Sequence, residues 1–94
     1  MARATWKGAL LADSDSVVVV EGETYFPPES IRREHFRESD FQTSCARKGV
    51  ASYYDVIVGG EVNPNAALYY AEPGDGVKQI AGRIAFRKGV RIET

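Results

Sequence analysis

The sequence predicts a mainly β, antiparallel fold, compact and with two short helices, on three observations. Short β-branched or alternating stretches recur along the chain, at residues 17–20, 50–58 and 84–92, each bounded by turn-forming residues. Glycine-containing pairs, Lys7-Gly8, Gly59-Gly60 and Lys88-Gly89, stand where tight hairpins need positive φ. Apolar residues at helical spacing surface only in two brief segments, one after Pro28 and one after Asp75.

Taken in order, Thr5-Trp6 and Ala9-Leu10-Leu11 flank Lys7-Gly8 as a hairpin. Asp13-Ser14-Asp15-Ser16 reads as a turn, since these side chains bond to nearby backbone and interrupt ladders. The β-branched run that follows, to Glu21, suits a strand covered on both faces and hence central in a sheet. Gly22 turns the chain into Thr24-Tyr25-Phe26, which Pro27-Pro28 ends. Pro28 and Glu29 open a helix running to about Phe36, with Ile31 and His35 on one face. Residues 37–44 are polar and without period, as expected of a surface loop.

The next stretch, residues 45–58, organises the chain. It contains the sole cysteine, the basic pair Arg47-Lys48, Gly49, and a strand over 50–58. Val50, Ser52, Tyr54, Val56 and Val58 are expected on the core face, with Ala51, Tyr53, Asp55 and Ile57 opposite. Gly59-Gly60 starts a hairpin, and Asn63-Pro64-Asn65 reads as a turn before the strand 66–70. Asp75 can cap a short helix with Val77, Ile80 and Ala81 on one stripe and Gly82 at its end. Ile84 and Phe86, then Val90 and Ile92, alternate about Lys88-Gly89 as a closing hairpin.

The chain has 94 residues, enough for one domain over 1–94 and no second core. Hydrophobic residues at 44% and charged residues at 27% are globular values, against disorder. A formal net charge of −1 gives no support for nucleic-acid binding or for an anionic membrane surface. No apolar run is long enough to span a bilayer, and none resembles a signal peptide, so the expected location is the cytoplasm. One cysteine makes no internal disulfide. With His35 as the only other soft ligand, neither a metal site nor a cofactor is expected.

Several segments together resemble a family. Residues 4–8 (ATWKG), 19–22 (VVEG) and 25–29 (YFPPE) look like its first half. Cys45 with Lys48-Gly49, residues 51–54 (ASYY), Val62-Asn63-Pro64 and Tyr69-Tyr70 look like its middle. Ile80-Ala81-Gly82, Ala85-Phe86 and Lys88-Gly89-Val90 look like its end. The family is the bacterial domain of unknown function 427. The resemblance covers nearly the whole chain and implies an antiparallel, β-tent-like domain. It implies no activity.

Chemistry-bearing residues cluster near Cys45. Its thiol is a candidate nucleophile whose ionisation Arg47 and Lys48 would favour, with His35 as base if the loop folds back; equally, free cysteine often only packs. The cations Arg32, Arg33, Arg37, Arg47 and Lys48 could close around an anion, although Glu29, Glu34, Glu38 and Asp40 interleave with them as on an ordinary solvated face. Tyrosines at a pocket lip, Tyr25 and Tyr53 among them, would supply flat apolar surface and an orienting hydroxyl, or simply fill the core. Asp13 and Asp15 have the spacing of metal-binding aspartates in nucleotidyl transfer, but lack the upstream Gly-Ser helix start and a third carboxylate. The expected site is therefore a pocket near Cys45, Lys48, Tyr53, Tyr25, Arg32 and Arg47 for a small polar or anionic molecule. The alternatives are a Cys45-dependent enzyme, and an interaction module forming a homodimer through an unpaired strand edge.

Overall fold

The computed structural model of the protein describes all residues, Met1–Thr94. Strands β1 (Ala2–Trp6) and β2 (Ala9–Ser14) form the expected hairpin, with Lys7 and Gly8 both at positive φ. Next come β3 (Val18–Val20) and β4 (Glu23–Tyr25), reversed at Glu21-Gly22. Three long strands follow: β5 (Phe36–Cys45), β6 (Gly49–Val58) and β7 (Glu61–Tyr70). Two short ones end the chain, β8 (Ala85–Phe86) and β9 (Arg91–Glu93). They build three sheets, in the orders β2-β1-β9, β3-β4 and β5-β6-β7-β8, and every strand pair is antiparallel.

Two clusters of buried side chains sit on the long sheet. One gathers Leu11, Phe26, Ile31, Val56, Ala67, Ile84 and Phe86, with Trp6, Phe36 and Tyr54 packed against it. The other gathers Tyr25, Ala51, Leu68, Tyr70, Val77, Ile80 and Ala85, with Val18, Val20 and Tyr53 against it. Because strand side chains alternate, neighbouring residues of one strand feed opposite clusters: Ala67 and Leu68 on β7, Ala85 and Phe86 on β8. The first cluster lies under the β2-β1-β9 sheet, the second under the β3–β4 hairpin and residues 75–80.

Several expectations are corrected. Where two helices are expected, the chain makes 3-10 turns: Pro28–Ser30, Arg33–His35 and Asp75–Ile80. Between the first two, Ile31 bridges Ala12 and the Arg32 N–H donates to the Leu11 carbonyl at 2.7 Å, which holds the backbone extended. A helical segment of two turns cannot outweigh such a bond, because helix nucleation is costly. Asp75 does not cap its turn, and Val77 inside it has φ −136. Residues 37–44 are no loop but most of β5. Apart from Phe36 and Ser39 its residues are exposed, so neither face carried an apolar alternation to mark it. Asn63-Pro64-Asn65 is not a turn but a bulge inside β7, where Asn65 adopts φ 56.

The run 17–20 is not central. Its strand β3 has one partner, and Val19 is 62% exposed. The closing hairpin also dissolves: β8 joins the long sheet beside β7, while β9 crosses to β1. On β6, Tyr54, Val56 and Val58 serve the first cluster as expected, but Val50 is 50% exposed and Ala51 is buried in the second. Val50 lies at the strand end, beyond the reach of the covering sheet. No helix is long and apolar enough to cross a membrane.

Candidate functional site

The β5–β6 reversal is residues 46–48, since the ladder closes at Cys45 opposite Gly49. Gly49 has φ 94, and a Cβ there would press on the Glu72 carbonyl at 3.1 Å. Gly74 lies closer still, with room for no Cβ against the Arg47 carbonyl. The loop before residues 75–80 thus packs backbone to backbone on the reversal and holds its shape.

From this reversal the Lys48 side chain turns inward and is only 13% exposed. Its ammonium donates to the Tyr25 hydroxyl at 3.4 Å and pairs with Glu21 Oε1 at 3.4 Å. Arg47 takes the other oxygen, Glu21 Oε2. Tyr25, fully buried at the end of β4, passes its own proton toward Glu23 Oε1 at 3.4 Å. A sequestered ammonium requires counter-charge, because stripping its water costs several kcal/mol. Burial pushes Lys48 down, but the Tyr25 hydroxyl and the Glu21 carboxylate outweigh it, so its pKa is raised and the cation persists. Burial raises the phenol of Tyr25, against the pull of Lys48; Tyr70 is raised likewise, and it lies near enough to feel Lys48, Cys45 and Tyr53.

Cys45 stands at the shoulder of this group, exposed. Its thiol is lowered first by the backbone N–H of Lys48, then by that of Arg47; slight burial opposes them and the Lys48 charge assists. A tight turn aiming two N–H groups at one sulfur favours the thiolate.

The other expected residues lie apart. Tyr53 shares a 3.1 Å hydrogen bond with Thr43 and carries the Phe41 ring at 5.0 Å. Arg32 pairs with Asp13 at 3.1 Å. His35 Nδ1–H donates to the Ile57 carbonyl at 2.9 Å, at the opposite end of β5 from Cys45. Strand rise separates the two by roughly 25–30 Å, so His35 is no base for that thiol. Asp13 is held by Arg32, Asp15 by the terminal amine at 3.4 Å, and no three of His, Cys, Asp or Glu gather as a metal site would need.

Two cavities are present. One, of about 310 Å³, is lined by Glu21, Gly22, Glu23, Thr24, Phe86 and Ile92. The other, of about 360 Å³, lies beside Gln42, Gly49, Val50, Ser52, Ala71 and Glu72. Neither is lined by Lys48, Tyr25, Tyr53, Arg32, Arg47 or Cys45; the first reaches the cationic group through Glu21, the partner of Lys48 and Arg47, and through Glu23, the partner of Tyr25. Glu21 is the residue that sequence reasoning missed. The available signal was a Glu-Gly pair at a two-residue reversal, where asparagine or aspartate is the usual partner of glycine.

The sequence profile described as Domain of unknown function (DUF427), with the short label NTP_transf_9, matches residues 1–94. The chain belongs to the DUF427 family. The description carries no activity, so what this DUF427 domain does must be argued from its own side chains. No curated protein matches the chain.

Proposed function

We propose that this DUF427 domain binds a small molecule bearing a carboxylate or phosphate at the cationic group formed by Lys48, Arg47 and the Tyr25 hydroxyl. One observation carries the reading: Lys48 and Arg47 already converge on a carboxylate, that of Glu21, with the Tyr25 hydroxyl beside them on the Lys48 ammonium. A planar guanidinium and a compact ammonium presented together are the donors that recognise such anions. Calorimetry and thermal shift with a panel of small carboxylates and inorganic phosphate test it. Wild type should gain melting temperature at millimolar anion. Lys48→Met should bind about tenfold or more weakly, with a stability loss of about 1–3 kcal/mol from its broken charged contacts. No rise with any anion removes this reading and favours an interaction module working through the β5 edge.

A second reading has its own observation. Cys45 is exposed and its thiol is lowered by backbone N–H groups, which suits a nucleophile or a redox-sensitive thiol in a reducing compartment such as the cytoplasm. Alkylation by iodoacetamide faster than that of an ordinary thiol at pH 7 supports it, and a slower reaction removes it. Nucleotidyl transfer, named in the family's short label, finds no support in Asp13 and Asp15, each engaged by a cation of this chain.

A further inference from the structure

We infer that the β3–β4 tip is a gate: Glu21 stands in for the acid head of an amphipathic monocarboxylate, whose apolar body takes the cavity floored by Phe86 and Ile92. This rests on the anion-binding reading above and names its ligand class.

Glu21 belongs to two places at once. Its two carboxylate oxygens are taken by Lys48 and Arg47, and the same residue forms part of the cavity wall with Gly22, Glu23 and Thr24. Swinging Glu21 aside joins the cavity to the cationic group. At about 310 Å³ the cavity is at the small end of ligand sites. Its apolar residues come from two sheets, Phe86 from β8 and Ile92 from β9.

The tip is small: each of its strands has three residues, Val19 in β3 is 62% exposed, and a Cβ at Gly22 would meet nothing within 4 Å. Glu21 itself sits at φ 53, a left-handed conformation that disfavours a residue with a Cβ. Its partner Arg47 is 62% exposed, so that pair holds weakly, whereas Lys48, at 13%, must keep an anion. The site therefore exchanges one carboxylate for another. Glu23 sets the charge limit. It lines the same cavity and stays bound to Arg87 at 2.9 Å, so a second negative group on the ligand meets a fixed carboxylate.

The test compares acetate, hexanoate and inorganic phosphate binding to wild type, Glu21→Gln and Glu21→Gly by calorimetry, with circular dichroism confirming the fold. The glycine variant also relieves the left-handed φ, so it keeps the test open should the glutamine variant unfold. Both variants should bind hexanoate at least tenfold more tightly than wild type, and hexanoate at least tenfold more tightly than acetate or phosphate. Adding Lys48→Met to either variant should abolish the gain. Wild type binding as tightly as the variants overturns the gate while leaving the anion site standing. Equal affinity for acetate and hexanoate overturns the cavity's part. No binding of any of the three anions by any of these proteins overturns both the gate and the anion site.

Discussion

Asp55 shows how one carboxylate can hold irregularities in two neighbouring strands. Its Oδ1 accepts the backbone N–H of Asn65 at 2.9 Å, inside the β7 bulge, and its Oδ2 takes Arg37 of β5 at 2.9 Å. Nearby, Ser39 donates to the Asn65 side chain at 2.6 Å, where β5 slips register. Burial raises the Asp55 carboxyl, but the Asn65 N–H and Arg37 outweigh it, and the net shift is downward. A depressed folded-state value means that its contribution is complete above the unfolded value of ~3.9 and is lost as pH falls through the folded value. Asp55→Asn should cost about 1–2 kcal/mol at pH 7 and flatten the acid limb of urea-unfolding stability below about pH 4. An unchanged acid limb would show that the carboxylate plays no such part. Cys45 makes a second prediction at this scale. The pH midpoint of its alkylation should lie below that of an ordinary thiol and stay below in Lys48→Met, because backbone N–H groups lead the shift. A midpoint at or above the ordinary thiol value contradicts it.

Among the elements, burial separates β8 from β3 although both are short and apolar. Phe86 is 8% exposed and meets Phe26 edge to face at 5.6 Å. Phe86→Ala should therefore cost ~3–5 kcal/mol in denaturant unfolding. Val19→Thr, on the exposed face of β3, should stay within ~0.5 kcal/mol. A loss there comparable to that of Phe86→Ala would mean that β3 is covered in solution. The reversal after β5 depends on the loop packed against it. Gly74→Ala would drive a methyl group into the Arg47 carbonyl. An added group that the backbone must yield to costs about 1–3 kcal/mol, and the displaced turn should raise the alkylation midpoint of Cys45. If that midpoint does not move, the loop is not what holds the turn.

Across the molecule, β6, β7 and β8 each send side chains into both clusters, so neither cluster can empty without disturbing the other. If residues 1–94 are one domain, heat should unfold them in one transition. Trp6 reports on the first cluster alone, while the tyrosines report on both, Tyr54 and Tyr69 on the first and Tyr25, Tyr53 and Tyr70 on the second. Trp6 fluorescence and near-ultraviolet tyrosine dichroism should share a midpoint, the usual sign of two-state behaviour. Separated midpoints would mean two units. The β1–β9 ladder pairs Arg3 with Glu93 and so joins the two ends of the chain. Non-local closure of this kind places folding in the millisecond-to-second range.

What the sequence by itself determined is local. Lys7-Gly8 and Gly59-Gly60 dictated their hairpins through backbone freedom, the alternating apolar pattern singled out Val56, Ile84 and Phe86, all of them buried, and the grouped motifs identified the family. Arg47 and Lys48 stood out as a basic pair beside the sole cysteine. Only the tertiary structure decided the rest, because those features depend on partners distant in sequence. An edge strand such as β5, exposed along most of its length, has no apolar period to betray it, since its ladder and its cross-strand pairs are polar. The segment around Ile31 lost its helix to the bond that the Arg32 N–H donates to Leu11, and Asn63-Pro64-Asn65 became a bulge because Asp55 met Asn65 across the sheet. Arg32 went to Asp13, and Glu21 came to Lys48 across 27 positions of chain. A side-chain ion pair leaves no trace in local composition, so the carboxylate between Arg47 and Lys48 could be found only after folding had carried it there.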